Sequence, residues 1–133
     1  MSAQDPAAKR PLSPFMLGQY YRFQLSSVLS FAHRLTGIGL AIGSIGLAAW
    51  VLCAAIGADA YQGYTAFAGS PFGQFLLICW SWALFYHACN GVRHLVWDSV
   101  MAFERRQVDV GGWLVLIASL VLTLILWLVV YFV

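Results

Sequence analysis

The polar residues of this chain are few, and they gather at the ends of long uncharged runs. Ser27, Ser30, His33, Arg34 and Thr36 crowd the opening of one run, and His87, Arg93, His94 and Asp98 close another that begins near residue 72. Ionisable groups at membrane depth are costly and usually mark a cofactor, ion or proton site. On a helix Ser30 and Arg34 share a face, with Ser27 continuing it one turn earlier and His33 about 100° round the axis. A hydroxyl beside a guanidinium at a membrane boundary can hydrogen-bond a quinone carbonyl or an acidic head group. The same residues also suit a plain interfacial helix start, with Arg34 snorkelling and the serines capping.

His87 and His94 are seven residues apart, so they project from nearly one face, separated by roughly 10 Å along the axis. His94 and Arg93 are expected near the membrane boundary, level with His33 and Arg34, and His87 deeper. A neutral imidazole at that depth suits an axial ligand to haem iron, with His33, Arg34, Arg93 and His94 placed to meet the propionates. Gly91, one turn after His87, leaves room for a flat macrocycle. The competing reading is a buried histidine hydrogen-bonded to a neighbouring helix. If His87 does ligate haem, His33 and His94 are expected to lie too near the surface to face it across one iron. The second ligand must then come from another subunit.

The elements that position these groups follow from composition. The chain has 133 residues, 62% hydrophobic and 9% charged, the profile of an integral membrane protein. Uncharged runs at 35–56, 72–92 and 111–133 are each long enough to cross a hydrocarbon core of roughly 30 Å as a helix, which satisfies its own backbone in lipid. The expectation is an all-α membrane protein with transmembrane helices at 29–56, 72–97 and 111–133. An N-terminal segment 1–28, an outer loop 57–71 and a cytoplasmic loop 98–110 complete the chain.

All seven basic residues fall in the N-terminal segment, the 93–110 connection or the helix ends beside them, and none falls in 57–71. The positive-inside rule then places the N-terminus in the cytoplasm and the C-terminus outside. No signal peptide is visible and residues 1–14 make a poor transit peptide, so a bacterial inner (plasma) membrane is expected. Cys53, Cys79 and Cys89 form no CxxC pair, which leaves iron–sulfur and c-type haem chemistry without support and reads as buried small apolar residues. Gly39, Gly43 and Gly46 make a stripe for close approach of a helix or a porphyrin. The last helix reads as packing and lipid-facing. A transporter would need polar residues through several spans, and no nucleic-acid partner is expected. Three helices have little interior of their own, so partner helices are expected too.

With these residues in view, a resemblance emerges. Arg10-Pro-Leu-Ser-Pro14, Ser30-x-x-His33-Arg34-x-Thr36-Gly37 and His87-x-x-x-Gly91-Val92-Arg93-His94-Leu95-x-Trp97-Asp98 together resemble the cytochrome b556 subunits of succinate dehydrogenase. Phe15 departs from the histidine that many relatives carry after Ser-Pro. The resemblance implies half of a heterodimeric haem-binding helix bundle, paired with a second small membrane-anchor subunit. It further implies an anchor for a flavoprotein subunit carrying FAD and an iron–sulfur subunit, all within respiratory complex II, the succinate step of the tricarboxylic acid cycle. Carried over by motif, His87 would be the ligand of one haem b. Ser30 and Arg34 would serve the ubiquinone-reduction site, with Ser27 on the same face. His33 and His94 would stand near the haem propionates, and Asp98 near the quinone-side entrance in a proton-delivery role. A fumarate reductase anchor and a haem-free structural anchor are the alternatives.

Overall fold

The computed structural model describes residues 23–102 and 104–132. The expectation for residues 1–22, including the motif at 10–14, therefore lies outside the described residues. Four helices follow one another: α1 (Leu25–Ile56), α2 (Ala58–Gly69), α3 (Pro71–Asp98) and α4 (Arg105–Phe132). The all-helical architecture is as expected, and α1, α3 and α4 are long and apolar enough to cross a membrane.

Each of these helices runs beyond its uncharged run. At 28 residues, α3 and α4 reach about 42 Å, longer than a bilayer core. The apolar run delimits what touches hydrocarbon, whereas the helix continues until the backbone is broken. Thus α4 starts at Arg105 and carries a charged first turn ahead of its apolar stretch. The 57–71 connection is itself mostly helical, as α2. Gly57, at φ 145°, turns the chain directly from α1 into α2, in a region of backbone space that only glycine occupies readily. Ser70 then caps α3, its Oγ accepting from the Gly73 amide at 3.1 Å, with Pro71 at the first helical position. Tyr64 ties α2 back by donating to the Gly46 carbonyl at 2.8 Å.

The packing is inverted relative to a soluble bundle. Large apolar side chains such as Ile38, Ile42, Leu120 and Leu124 point outward. The buried set is Leu29, Tyr86 and Val115 together with Ser81, Asn90, Arg93, Ser119 and Thr123. Lipid satisfies apolar surface as well as a protein interior does, so small and polar residues take the helix contacts. On α4 they form the stripe Gly112, Val115, Ser119 and Thr123. A Cβ on Gly112 would come within 2.7 Å of Leu29 Cδ1, so this glycine lets α1 and α4 meet. Farther along, Trp127 Nε1 donates to Ser81 Oγ at 3.0 Å and Tyr131 Oη to Gln74 Oε1 at 3.3 Å, joining α3 to α4. Ser119 and Thr123 return their hydroxyls to backbone carbonyls of α4 itself, consistent with a packing role.

The glycine stripe of α1 contacts a tryptophan. The Trp80 indole fills the space that a side chain on Gly43 would occupy, beside an apolar groove of ≈ 580 Å³ between α1, α2 and α3. The cysteines are free thiols, and none is fully buried as the sequence suggests: Cys53 and Cys89 are half-buried. Cys79 is exposed on the apolar outer surface of α3, where a thiol is accommodated as readily as an alkyl group.

Candidate functional site

The chemistry-bearing residues collect at one end of the bundle, where α1 begins, α3 ends and α4 begins. Ser27, Ser30 and Arg34 recur at three- and four-residue intervals, so α1 presents them on one face. Together with Ser26 and Phe31 they line one wall of a recess of ≈ 390 Å³, and Arg93, His94 and Trp97 of α3 line the other. Five of the residues singled out from sequence, Ser27, Ser30, Arg34, Arg93 and His94, thus line one space. Arg34 is exposed. Asp98 is exposed at the end of α3 and is absent from the recess lining.

Beside the recess the three histidines stand in a row. The His33 and His87 rings stack at 3.9 Å with 14° between their planes, and His33 lies 5.4 Å from His94. His33, expected beside His94 at the boundary, contacts both of the other imidazoles and packs face to face on His87.

His87 is held in a defined orientation. Its Nδ1 lies 3.1 Å from the His33 carbonyl oxygen and 3.3 Å from Thr36 Oγ1, which itself donates to that carbonyl at 2.9 Å. A carbonyl can only accept, so the bond requires the proton on Nδ1 and leaves the lone pair on Nε2. Gly37 allows this approach: a Cβ there would sit 3.1 Å from His87 Cε1. An imidazole whose Nδ1–H is tied to a backbone carbonyl is the form that ligates a metal through Nε2. A Cβ on Gly91, one turn further along α3, would meet nothing within 4 Å, and His33 Nδ1 is buried without a partner among the described residues. This donor set fits a haem taking one axial ligand from the chain. Parallel, stacked rings cannot place His33 and His87 on opposite sides of one iron. Among the described residues there is also no cluster of three or more His, Cys, Asp or Glu fit to hold a metal ion.

Arg93 departs from its expected place in a surface cationic ring. It is only 8% exposed, and its Nη2 donates to the Val108 carbonyl of α4 at 2.9 Å. Its Nη1 donates to Asn90 Oδ1 at 3.4 Å, and its guanidinium carbon lies 4.1 Å from the centroid of the Trp97 ring. The interior next to it is polar as well: Asn90 is fully buried and Tyr86 Oη donates to the Leu29 carbonyl at 2.9 Å. From the sequence, Trp97 has no role beyond its place in the motif and Tyr86 has none. The spacing Tyr86, Asn90, Arg93 was the available signal, since it puts three polar groups on one helical face.

Comparison with known proteins gives a consistent set of relatives. Residues 6–126 match the family model described as succinate dehydrogenase/fumarate reductase transmembrane subunit. A succinate dehydrogenase cytochrome b556 subunit of Rickettsia felis is 38% identical over 124 residues, covering 93% of this chain and 95% of the relative. The subunit of that name from Paracoccus denitrificans is 33% identical, covering 93% of each chain. The cytochrome b560 subunit from Reclinomonas americana is also 33% identical, over 90% of this chain and 85% of its own.

Proposed function

Because the chain belongs to the succinate dehydrogenase/fumarate reductase transmembrane subunit family, we propose that it anchors a succinate:ubiquinone oxidoreductase, supplies one axial ligand to a haem b through His87 and forms part of the ubiquinone-reduction site. It is an enzyme subunit and not an enzyme by itself. The flavin and iron–sulfur chemistry belongs to flavoprotein and iron–sulfur partners, and a second small membrane subunit supplies the other haem ligand. The N-terminus lies on the cytoplasmic side of a bacterial inner membrane and the C-terminus outside, the arrangement favoured by the placement of the basic residues.

The observation that carries this reading is the His87 hydrogen bond to the His33 carbonyl at 3.1 Å, which fixes the tautomer with Nε2 available. When bound, the haem supplies a one-electron redox centre. His87 would hold it, with His33 and His94 as the neighbouring donors for its carboxylates. In the recess Ser30 is placed to donate its hydroxyl to a quinone carbonyl, and Arg34 to stabilise negative charge developing on that oxygen. Ser27 extends the same polar face. Asp98, outside the recess lining but at its end of the bundle, is a proton carrier from the aqueous side.

A dithionite-reduced minus oxidised visible spectrum of the purified complex, wild type against His87→Ala, tests the reading. The b-type bands are expected in the wild type and lost or strongly altered in an assembled variant. Bands unchanged by the substitution would exclude His87 as a ligand, and a wild type without them would leave a haem-free anchor.

A further inference from the structure

Asn90 is fully buried on α3, so each side of its amide needs a partner inside the protein. Arg93 Nη1 meets one side at 3.4 Å and His94 Nε2 meets the other at 3.5 Å. Residues 90, 93 and 94 fall on successive turns of one helix, which brings the three side chains together. A guanidinium can only donate, so the amide atom facing Arg93 is the oxygen and the atom facing His94 is the nitrogen. The order is hard to reverse, because Arg93 Nη2 is itself bound to the Val108 carbonyl of α4 at 2.9 Å. An amide nitrogen offers only protons, so His94 Nε2 must accept, and the ring proton sits on Nδ1. His87, two turns earlier, also carries its proton on Nδ1, where the His33 carbonyl takes it up. What each ring has left over is opposite: a lone pair on His87 and an N–H on His94.

We propose that Asn90 is a positioning residue, oriented by Arg93, that makes His94 a hydrogen-bond donor through Nδ1 to an acceptor oxygen at the recess His94 lines. Asn90 is absent from that lining and acts only through His94. The acceptor is a carbonyl of a quinone or a carboxylate of a haem, so the use of the donor rests on the function proposed above. The proton's place on the ring rests on this chain alone. Aspartate at 90 would accept from both neighbours and draw a proton onto His94 Nε2. Leucine would keep most of the volume and leave the ring free to carry its proton on either nitrogen.

The test uses the whole purified complex, grown with histidine carrying 15N at Nε2. The His94 signal is identified by its disappearance in His94→Gln or, should that not assemble, in His94→Phe. In the wild type it is expected at the position of a nitrogen with a free lone pair, and in Asn90→Asp at that of a protonated nitrogen. A purely structural Asn90 would not move it. A protonated Nε2 in the wild type would overturn the proposal without any variant at 90, and an unmoved signal in Asn90→Asp would show that another group sets the ring. The donor is tested with Asn90→Leu and Ser30→Ala, by quinone reduction normalised to succinate oxidation with a soluble acceptor, and by the haem difference spectrum. Asn90→Leu is expected to raise KM for a short-chain ubiquinone about two- to tenfold, the span of one neutral hydrogen bond, if the acceptor is the carbonyl. An altered haem spectrum at unchanged KM assigns the donor to the haem carboxylate instead. If Ser30→Ala impairs quinone reduction and Asn90→Leu changes neither readout, the donor role falls and the recess reading stands. If neither substitution changes anything, the recess reading falls as well, while the His94 signal still decides the tautomer.

Discussion

Ser30 and Arg34 face the same recess with different strengths of interaction. A hydroxyl donating to a neutral carbonyl contributes about 0.5–1.5 kcal/mol, and a guanidinium stabilising developing negative charge about 1.5–3 kcal/mol. Ser30→Ala is therefore expected to lower kcat/KM for ubiquinone by about two- to tenfold, and Arg34→Ala by about ten- to a hundredfold. Succinate oxidation with a soluble acceptor should persist in both; equal loss of the two activities would point to failed assembly. Their shared helix face was legible from sequence, because it depends on spacing within one helix. The same holds for His87 and His94. Arg93 was not legible, because its main acceptor, the Val108 carbonyl, lies fifteen residues onward on another helix and carries no side-chain signature. Its charge read as surface, and its contacts make it interior.

At the scale of elements, α1 and α3 meet where glycine permits. The Trp80 indole occupies the volume of a side chain at Gly43, so Gly43→Val forces the two helices apart or the indole out. Overpacking of this kind costs about 1–3 kcal/mol. The purified complex should lose a few degrees of thermal stability by a haem-absorbance or light-scattering melt, whereas Gly39→Ala, with nothing within 4 Å, should leave the melt unchanged. An equal loss from both would show that the stripe contacts another subunit along its length. The glycine spacing was readable in advance, but its partner was not, since Trp80 is distant in sequence and Trp is equally common at membrane interfaces and within packed spans. The helical character of α2 escaped notice for a related reason. Twelve residues without a long apolar run carry no transmembrane signal, and Gly63 and Gly69 within them weaken the helical one.

Across the described residues, large apolar side chains face outward, small and polar ones take the helix contacts, and positive charge is segregated to one end. Arg105 and Arg106 open α4, where cations oppose the helix dipole by about 0.3–1 kcal/mol each. Local helix stability does not account for them; the membrane orientation proposed above does. Single cysteines placed at Gln62 and at Gln107, in a background without the native three, should separate the two sides. An impermeant maleimide added to intact cells is expected to label position 62 and spare 107 until the membrane is opened. The reverse pattern would invert the topology. A consequence also follows from the bond between His87 and the His33 carbonyl, which joins two helices of a single chain. A freely rotating imidazole must be immobilised when a cofactor binds, at about 0.5–1.5 kcal/mol per ordered side chain. Here the rotor is stopped by a bond within the chain, so on the proposed ligation the order of assembly is not dictated by the need to aim His87. Once α1 and α3 have met, the imidazole is held in one orientation by its own chain.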